Sequence, residues 1–427
     1  MPTLRDRGTA GVPVAPPLSV YVHLPWCIHK CPYCDFNSHA LADLGELPEK
    51  RYLAALRADL EAVPPAVRAR PVHTIFLGGG TPSLFSPEAI AELLAMLCSL
   101  LVVTPAAEVT MEVNPGTFEA GRFRAYGQAG VTRLSIGVQS FSDESLRRIG
   151  RVHDAAQAYR AIEVAARHYE TWNIDLMYAL PGQTPAGLQA DLRAALALEP
   201  PHLSYYQLTI EPGTAFAIRP PVVPDDDASA AMQALIEEET QRAGLQHYEI
   251  SAYARDGHRC AHNLNYWQFG DYLGLGAGAH GKLSFADRIV RDERIRDPRS
   301  YLRAAGASVS AGGRTGQADQ VSDADRDGPA YGDAAQVSSG AAIAATRVVH
   351  ADELPFEFML NVLRLYEGVP VTWFAERTGL SPDVLAPAVA RAVSRGLLAA
   401  DPEYWRATEH GMRFLNDLQT LFLGDSI

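Results

Sequence analysis

Three cysteines stand within eight residues, Cys27, Cys31 and Cys34 in YVHLPWCIHKCPYCDFNSH, with C-x3-C-x2-C spacing. Thiolates are soft ligands that select iron–sulfur clusters, zinc or Cu(I). A [4Fe–4S] cluster that only passes electrons takes four cysteines, and no fourth lies near in the sequence. Three sulfurs would leave one iron open, able to chelate the amino and carboxylate groups of a small molecule. The alternative is a structural Cys3His zinc site completed by His29 or His39. Structural zinc of that kind usually comes as paired knuckles, and the second half is missing. Cys98 falls in the apolar helical stretch EAIAELLAMLCSLL and reads as core, while Cys260 stays ambiguous.

Other groups of chemical interest follow at intervals. Gly78-Gly79-Gly80-Thr81-Pro82 comes after the apolar run TIFL, and consecutive glycines let backbone approach a ligand without a Cβ in the way. A tight turn is the plainer reading. Glu112 in MEVNPG, Gln139 in IGVQSF and Asp175 in NIDLMYALPGQ stand in or at the ends of β-type runs. A carboxylate there is costly to bury alone and suits an ammonium or a ribose hydroxyl. Arg151 in RRIGRVH is a candidate partner for a ligand carboxylate. In His262-Asn263-Leu264-Asn265-Tyr266-Trp267 an imidazole stands beside two aromatics. An exposed imidazole is a good axial ligand for haem iron, and the rings offer flat faces to a macrocycle. A packed histidine is the structural alternative, and Cys260 an alternative ligand.

The elements that must position these residues alternate strand and helix. Strands are expected at 19–24, 73–77, 108–113, 133–138, 172–177 and 203–210, and helices at 50–63, 88–101, 118–129, 155–168 and 185–198. Six βα units in a row imply a parallel sheet, either open and doubly wound or a full or partial barrel. The unusual residues sit just after the strands, where parallel barrels gather their functional groups. Gly274-Leu275-Gly276-Ala277-Gly278 lacks the helix and acidic residue of a dinucleotide fingerprint and reads as a loop closing the barrel. A C-terminal module, 351–427, reads as mostly helical and winged-helix-like.

Composition sets the limits. Net charge is −13 with no dense Lys/Arg run, which argues against a generic nucleic-acid surface. No apolar stretch reaches the length of a membrane span. Residues 1–17 read as a loose tail without a secretory signal, 18–285 as the main domain and 286–350 as a linker. Within that linker Ala304–Thr346, rich in Ala, Gly, Ser, Asp and Gln, reads as a disordered insert.

The cysteine loop, GGGTP and the βα series together resemble the radical S-adenosylmethionine superfamily over residues 18–285. Within it, the chain is similar to the oxygen-independent coproporphyrinogen oxidase family. The resemblance implies an α/β fold, a partial (βα)6 barrel, and a [4Fe–4S] cluster on Cys27, Cys31 and Cys34. It also implies an S-adenosylmethionine site lined by Tyr21, Tyr33, Gly79, Gly80, Thr81, Glu112, Gln139, Arg151 and Asp175, with Thr209 added. The oxidases resemble C-x3-C-x2-C-x-C, whereas Phe36 stands at the last position here. The H-N-x-x-Y-W sequence, PHLSYYQLTIEPGT, PPVVPDDD and LGLGAGAHG resemble a haem-chaperone branch of the same family. That implies His262 as a haem ligand, no catalytic residue, a cytoplasmic location, and membrane or respiratory haemoproteins as acceptors. Homodimerisation and peripheral membrane contact are further expectations. The rivals are a genuine coproporphyrinogen III oxidase and a radical enzyme modifying tRNA. The long insert departs from the family pattern.

Overall fold

The computed structural model describes residues 10–43, 45–117, 119–311 and 342–423. Six parallel strands follow, with apolar residues alternating with polar ones along several of them: β1 (Leu18–Leu24), β2 (Pro71–Gly79), β3 (Val102–Val113), β4 (Arg133–Gln139), β5 (Thr171–Tyr178) and β6 (His202–Gln207). The connecting helices are α1 (Glu49–Glu61), α2 (Pro87–Leu100), α3 (Ala120–Ala129), α4 (Ala155–His168) and α5 (Pro185–Leu196). Their limits follow local chemistry. Ser86 caps α2 through Ala89 N–H, Asp154 and Gln157 close a capping box on α4, and Thr184 caps α5. Gly130, at φ +114°, ends α3 in the left-handed conformation that a side chain would resist.

After α6 (Asp226–Arg242) the chain adds β7 (Gln246–Glu249), β8 (Ala252–Ala254), the helix α7 (Ala261–Trp267), and then β9 (Asp271–Leu275), β10 (His280–Ser284) and β11 (Ile289–Arg294). Helix α8 (Pro298–Ala311) and strand β12 (Ile343–Val349) follow. All twelve strands form one sheet, in the order β12-β11-β10-β9-β1-β2-β3-β4-β5-β6-β8-β7. The stretch from β9 to β6 is parallel and the flanking strands are antiparallel.

Three sequence expectations meet a different structure here. The start of LGLGAGAHG is strand, not loop: Gly274 and Leu275 pair in register with Tyr21 and Val22, which makes β9 a seventh parallel strand. The stretch expected to be an insert from Ala304 gives its first part to α8 and its last part to β12, which pairs with β11 along Ile289–Arg294. Residues 312–341 lie outside the described residues. The tail, too, is pinned from residue 10 onward. Val12 is buried with its N–H on Phe285 O, and Ala10 joins the second core.

The larger core lies between the parallel sheet and its helices. The second core joins the C-terminal helices α9 (Leu354–Val362), α10 (Thr372–Thr378) and α11 (Ala386–Ser394) to Phe269, Ile289 and Val349. At its centre Phe358 packs edge-on against Phe269, Phe374 and Trp405. Trp405 belongs to a two-residue ribbon, Tyr404–Trp405 against Val369–Pro370. The stretch HGMRFLNDLQTLFL forms two short helices, Glu409–Arg413 and Leu415–Thr420, broken at Phe414.

Candidate functional site

The inner faces and C-terminal ends of β2–β6 and the turns that follow them, together with the cysteine loop after β1, enclose a cavity of about 410 Å³. The cysteine loop is folded by its own backbone, with Cys34 N–H on Cys31 O and Ser38 N–H on Phe36 O. Its far end is tied to β1 and to the turn after β9. His23 accepts from Tyr21 OH at Nδ1 and donates from Nε2 to Asn37 O, while Asn37 Nδ2 donates to Ala277 O and Arg296 O. Burial holds the His23 imidazole neutral, at about 4.

Each thiol has its own neighbour. Cys27 Sγ accepts from Thr81 Oγ1 at 3.4 Å, Cys31 Sγ lies 3.8 Å from Arg151 Nη1, and Cys34 Sγ lies 3.5 Å from Ser38 Oγ. Among the described residues no three His, Cys, Asp or Glu side chains gather closely enough to hold one metal ion. A Cys3His zinc site needs that convergence. All three cysteines line the cavity, a donor set suited to a polynuclear iron–sulfur group. Burial pushes the Cys27 thiol up to about 11, so metal loading must displace its proton.

The glycines after β2 serve packing first. A Cβ on Gly79 would lie 2.4 Å from the His23 ring, and one on Gly80 would lie 2.6 Å from Trp26 O. Gly79 takes φ +110° and gives its N–H to Glu112 Oε2 at 3.1 Å. The bare backbone therefore lets β2 meet the cysteine loop.

Of the acidic residues that line the cavity, Glu112 and Asp175 stand on the strands themselves. Burial, then the nearby Asp175, push Glu112 up to about 7, against the pull of the Gly79 N–H. Burial also raises Asp175 to about 6 although Ser135, Asn173 and Ser204 stabilise its anion. Gln139 holds φ +68°, unusual for a residue with a side chain. The segment around it is clamped by His153 Nε2 on Val138 O and by Ser140 Oγ and Phe141 N–H on Asp191. Arg151, half-buried, donates from Nη2 to Gly137 O at 2.7 Å and turns Nη1 toward Cys31.

Tyr33, Gly79, Gly80, Thr81, Glu112, Gln139, Arg151, Asp175 and Thr209 thus line one cavity with the three cysteines. Tyr21 stands behind it, its ring stacked on Phe76, which does line it. His262 is also elsewhere. The expected exposed imidazole is buried on the side nearer the strand starts, with Nδ1 2.9 Å from Thr74 Oγ1 and its ring 5.0 Å from Phe76. Helix α7 is plugged into the sheet's inner face: His262 N–H and Cys260 Sγ meet Glu108 Oε1, and Asn265 donates to Ser19 Oγ. Burial drives His262 down to about 3 and Cys260 up to about 12, so both are neutral there. Tyr266 and Trp267 meet edge to face rather than forming a flat platform, and Arg364 of the C-terminal region lies over the Trp267 ring.

Sequence reasoning missed the polar floor of the cavity: Thr110, Arg133, Ser135, Asn173, His202 and Ser204. The signal was available. These residues stand two apart along β3, β4, β5 and β6, alternating with apolar ones, and Thr110 and Asn173 share their strand faces with Glu112 and Asp175. Thr110 Oγ1 and Arg133 Nη2 are buried without a hydrogen-bond partner, as expected of a site built around a polar ligand.

Comparison with known proteins adds the lineage. Residues 21–195 match the radical SAM superfamily and residues 349–414 the HemN C-terminal domain. A protein of Escherichia coli named heme chaperone HemW is 46% identical over 412 residues, covering 96% of this chain and 99% of that one. The Haemophilus influenzae protein of that name is 43% identical over 418 residues, at 96% and 99% coverage. The Bacillus subtilis one is 31% identical over 414 residues, at 95% and 99%. Among solved structures, the coproporphyrinogen III oxidase HemN of E. coli superposes with a TM-score of 0.74 at 20% identity, covering 96% of this chain and 91% of that one. At that identity the likeness speaks for the fold.

Proposed function

The chain belongs to the HemW family of heme chaperones within the radical SAM superfamily, and from that premise we propose that it binds haem and passes it to haemoproteins. The observation that carries the reading is identity spread over nearly the whole chain, both cores included. On this reading Cys27, Cys31 and Cys34 hold a [4Fe–4S] cluster, and the cavity beside it takes S-adenosylmethionine. When bound, the cluster supplies an electron and an open iron for the amino and carboxylate groups of that ligand. Arg151 sets a fixed cation beside the Cys31 sulfur. Glu112 and Asp175 offer acceptors to an ammonium or to ribose hydroxyls, and the orphaned Thr110 and Arg133 gain partners.

Haem iron would meet His262. A macrocycle cannot reach a side chain packed on Phe76 beneath Glu108, so α7 must first leave its seat. Acceptors would be membrane or respiratory haemoproteins, met in the cytoplasm or at the membrane surface, with cluster-dependent dimerisation. No described helix is long and apolar enough to cross a membrane.

Anaerobic reconstitution tests the reading, with iron, sulfide and haem measured on one sample and coproporphyrinogen III supplied with a reductant. Stoichiometric haem without protoporphyrinogen is expected. Protoporphyrinogen formation would make the chain an oxidase, and zinc in place of iron and sulfide would remove the cluster.

A further inference from the structure

A chain of hydrogen bonds runs from the cavity to the start of the His262 helix. Asn173 Nδ2 donates to Asp175 Oδ1 at 2.7 Å, and Asn173 Oδ1 faces His202 Nδ1 at 2.7 Å. His202 Nε2 meets Tyr248 OH at 2.7 Å, and Tyr248 OH accepts from Cys260 N–H at 3.2 Å. Cys260 precedes α7 directly.

Donor and acceptor roles give this chain a direction. Asn173 spends its amide N–H groups on Asp175 and Ser135, so its carbonyl oxygen must accept from His202. His202 is buried and held neutral, so with a proton on Nδ1 its Nε2 can only accept. Tyr248 must then donate to it, and it accepts from Cys260. Every hydrogen bond points toward the Asp175 carboxylate. The other tie at the helix start is Glu108, on the same face of β3 as Glu112 and four residues before it. Tyr248 also links outward, its carbonyl accepting from Tyr366 N–H of the C-terminal region.

We propose that His202 and Tyr248 are positioning residues that couple occupancy of the cavity at Asp175 to the seating of the His262 helix. A ligand hydroxyl or ammonium donating to Asp175 competes with Asn173 for the same carboxylate oxygens. The pull along the chain weakens, Cys260 is held less firmly, and α7 leaves its seat more readily. S-adenosylmethionine in the cavity thereby favours exposure of His262. Linkage makes the effect reciprocal: haem on a released His262 tightens S-adenosylmethionine binding by the same factor. The inference takes from the proposed function that S-adenosylmethionine occupies the cavity, and its first test involves no haem.

That test is hydrogen exchange on the cluster-loaded chain, with and without S-adenosylmethionine, reading amides 262–267 against those of β4. Faster exchange in the helix with β4 unchanged is expected. Unchanged or slower exchange there overturns the proposal. Tyr248→Phe keeps the ring and removes the hydroxyl; it should bind S-adenosylmethionine yet lose the response, whereas Thr171→Val, whose hydroxyl meets His258 outside the cavity and off the chain, should keep it. An undiminished response in Tyr248→Phe overturns the role of the relay. Haem titration then reads the coupling itself: saturating S-adenosylmethionine should tighten haem about fivefold or more, and Tyr248→Phe should abolish the gain. A chain that shows the exchange response but binds no haem refutes the proposed function and leaves the relay standing. Haem binding through His262 without any response does the reverse.

Discussion

Thr74 Oγ1 accepts a hydrogen bond from His262 Nδ1 at 2.9 Å while donating its own proton to Ser19 Oγ at 2.7 Å. The seated imidazole is therefore neutral with its proton on Nδ1. A haem ligand in waiting is fastened by that proton. Thr74→Val keeps the shape and removes the acceptor, leaving a buried N–H unpaired at a cost of about 1–3 kcal/mol. Because release of the helix precedes ligation, the apparent haem affinity should rise, by about five- to 150-fold for the same energy, while the melting temperature falls. Soret titration checks this. A weaker affinity would mean that haem binds His262 in its seat.

Glu112 provides a pH-dependent signature of the cavity. Its carboxyl has a folded value of about 7 against an ordinary 4.5, so the folded chain holds a proton that the unfolded chain releases. Stability from this group is full below pH 4.5 and is lost as pH rises through 7. Glu112→Gln should therefore stabilise the cofactor-free chain at pH 8, by about 1–3 kcal/mol given that the group faces a wet cavity. The gain should vanish near pH 4.5. Denaturant melts at the two pH values give the answer. Binding moves the other way, since S-adenosylmethionine needs the anion and should bind more weakly at pH 6 than at pH 8.

Most of this arrangement was legible because it is local. Apolar runs bounded by Gly, Asn and Pro located β1–β6, and the reactive residues stood just beyond them. Cys27, Cys31 and Cys34 stood out by their spacing, and the cavity gathers them with the residues after β2, β3, β4 and β5 for the reason that parallel strand ends must. What stayed hidden depends on distant pairing. Nothing in LGLGAGAHG announces that Gly274 will sit opposite Tyr21. Nor does Ile343–Val349 look like a strand until Ile289–Arg294 offers it an edge. His262 misled in a different way. Its neighbours Tyr266 and Trp267 suggest a surface, yet Thr74 and Glu108, 188 and 154 residues away in sequence, supply the polar partners that allow its burial.

Arg294 marks where the fold is most brittle. It is buried between Asp59, 3.1 Å from its Nε, and Asp292, 2.8 Å from Nη1. Asp59 also accepts from Tyr301 OH and Gly276 N–H, so one carboxylate joins α1, the turn after β9, β11 and α8. Arg294→Met strands two buried carboxylates and should cost about 3–5 kcal/mol, a drop of many degrees in melting temperature. Arg347→Met, whose partners Glu353 and Glu357 are nearer the surface, should cost under about 1 kcal/mol. Equal losses in thermal melts would show that the Asp59–Arg294–Asp292 group is not what holds these elements.

Acid should unseat the His262 helix before it unfolds the sheet. Seated, His262 titrates at about 3 because burial penalises its charge. Released into water, it returns to about 6.5. The released form therefore binds a proton that the seated form refuses, so seating is at full strength above pH 6.5 and is lost as pH falls toward 3. Each unit below 6.5 should shift the balance toward release about tenfold. Cys260 at the helix start does not offset this, because burial holds it as a neutral thiol. Hydrogen exchange over 262–267, corrected for the intrinsic pH dependence of amide exchange, should accelerate between pH 7 and pH 5 while β4 and β5 stay protected. In His262→Asn, which cannot take up the proton, the acceleration should disappear. Its persistence would place the acid-sensitive group elsewhere, with His202 the next to test.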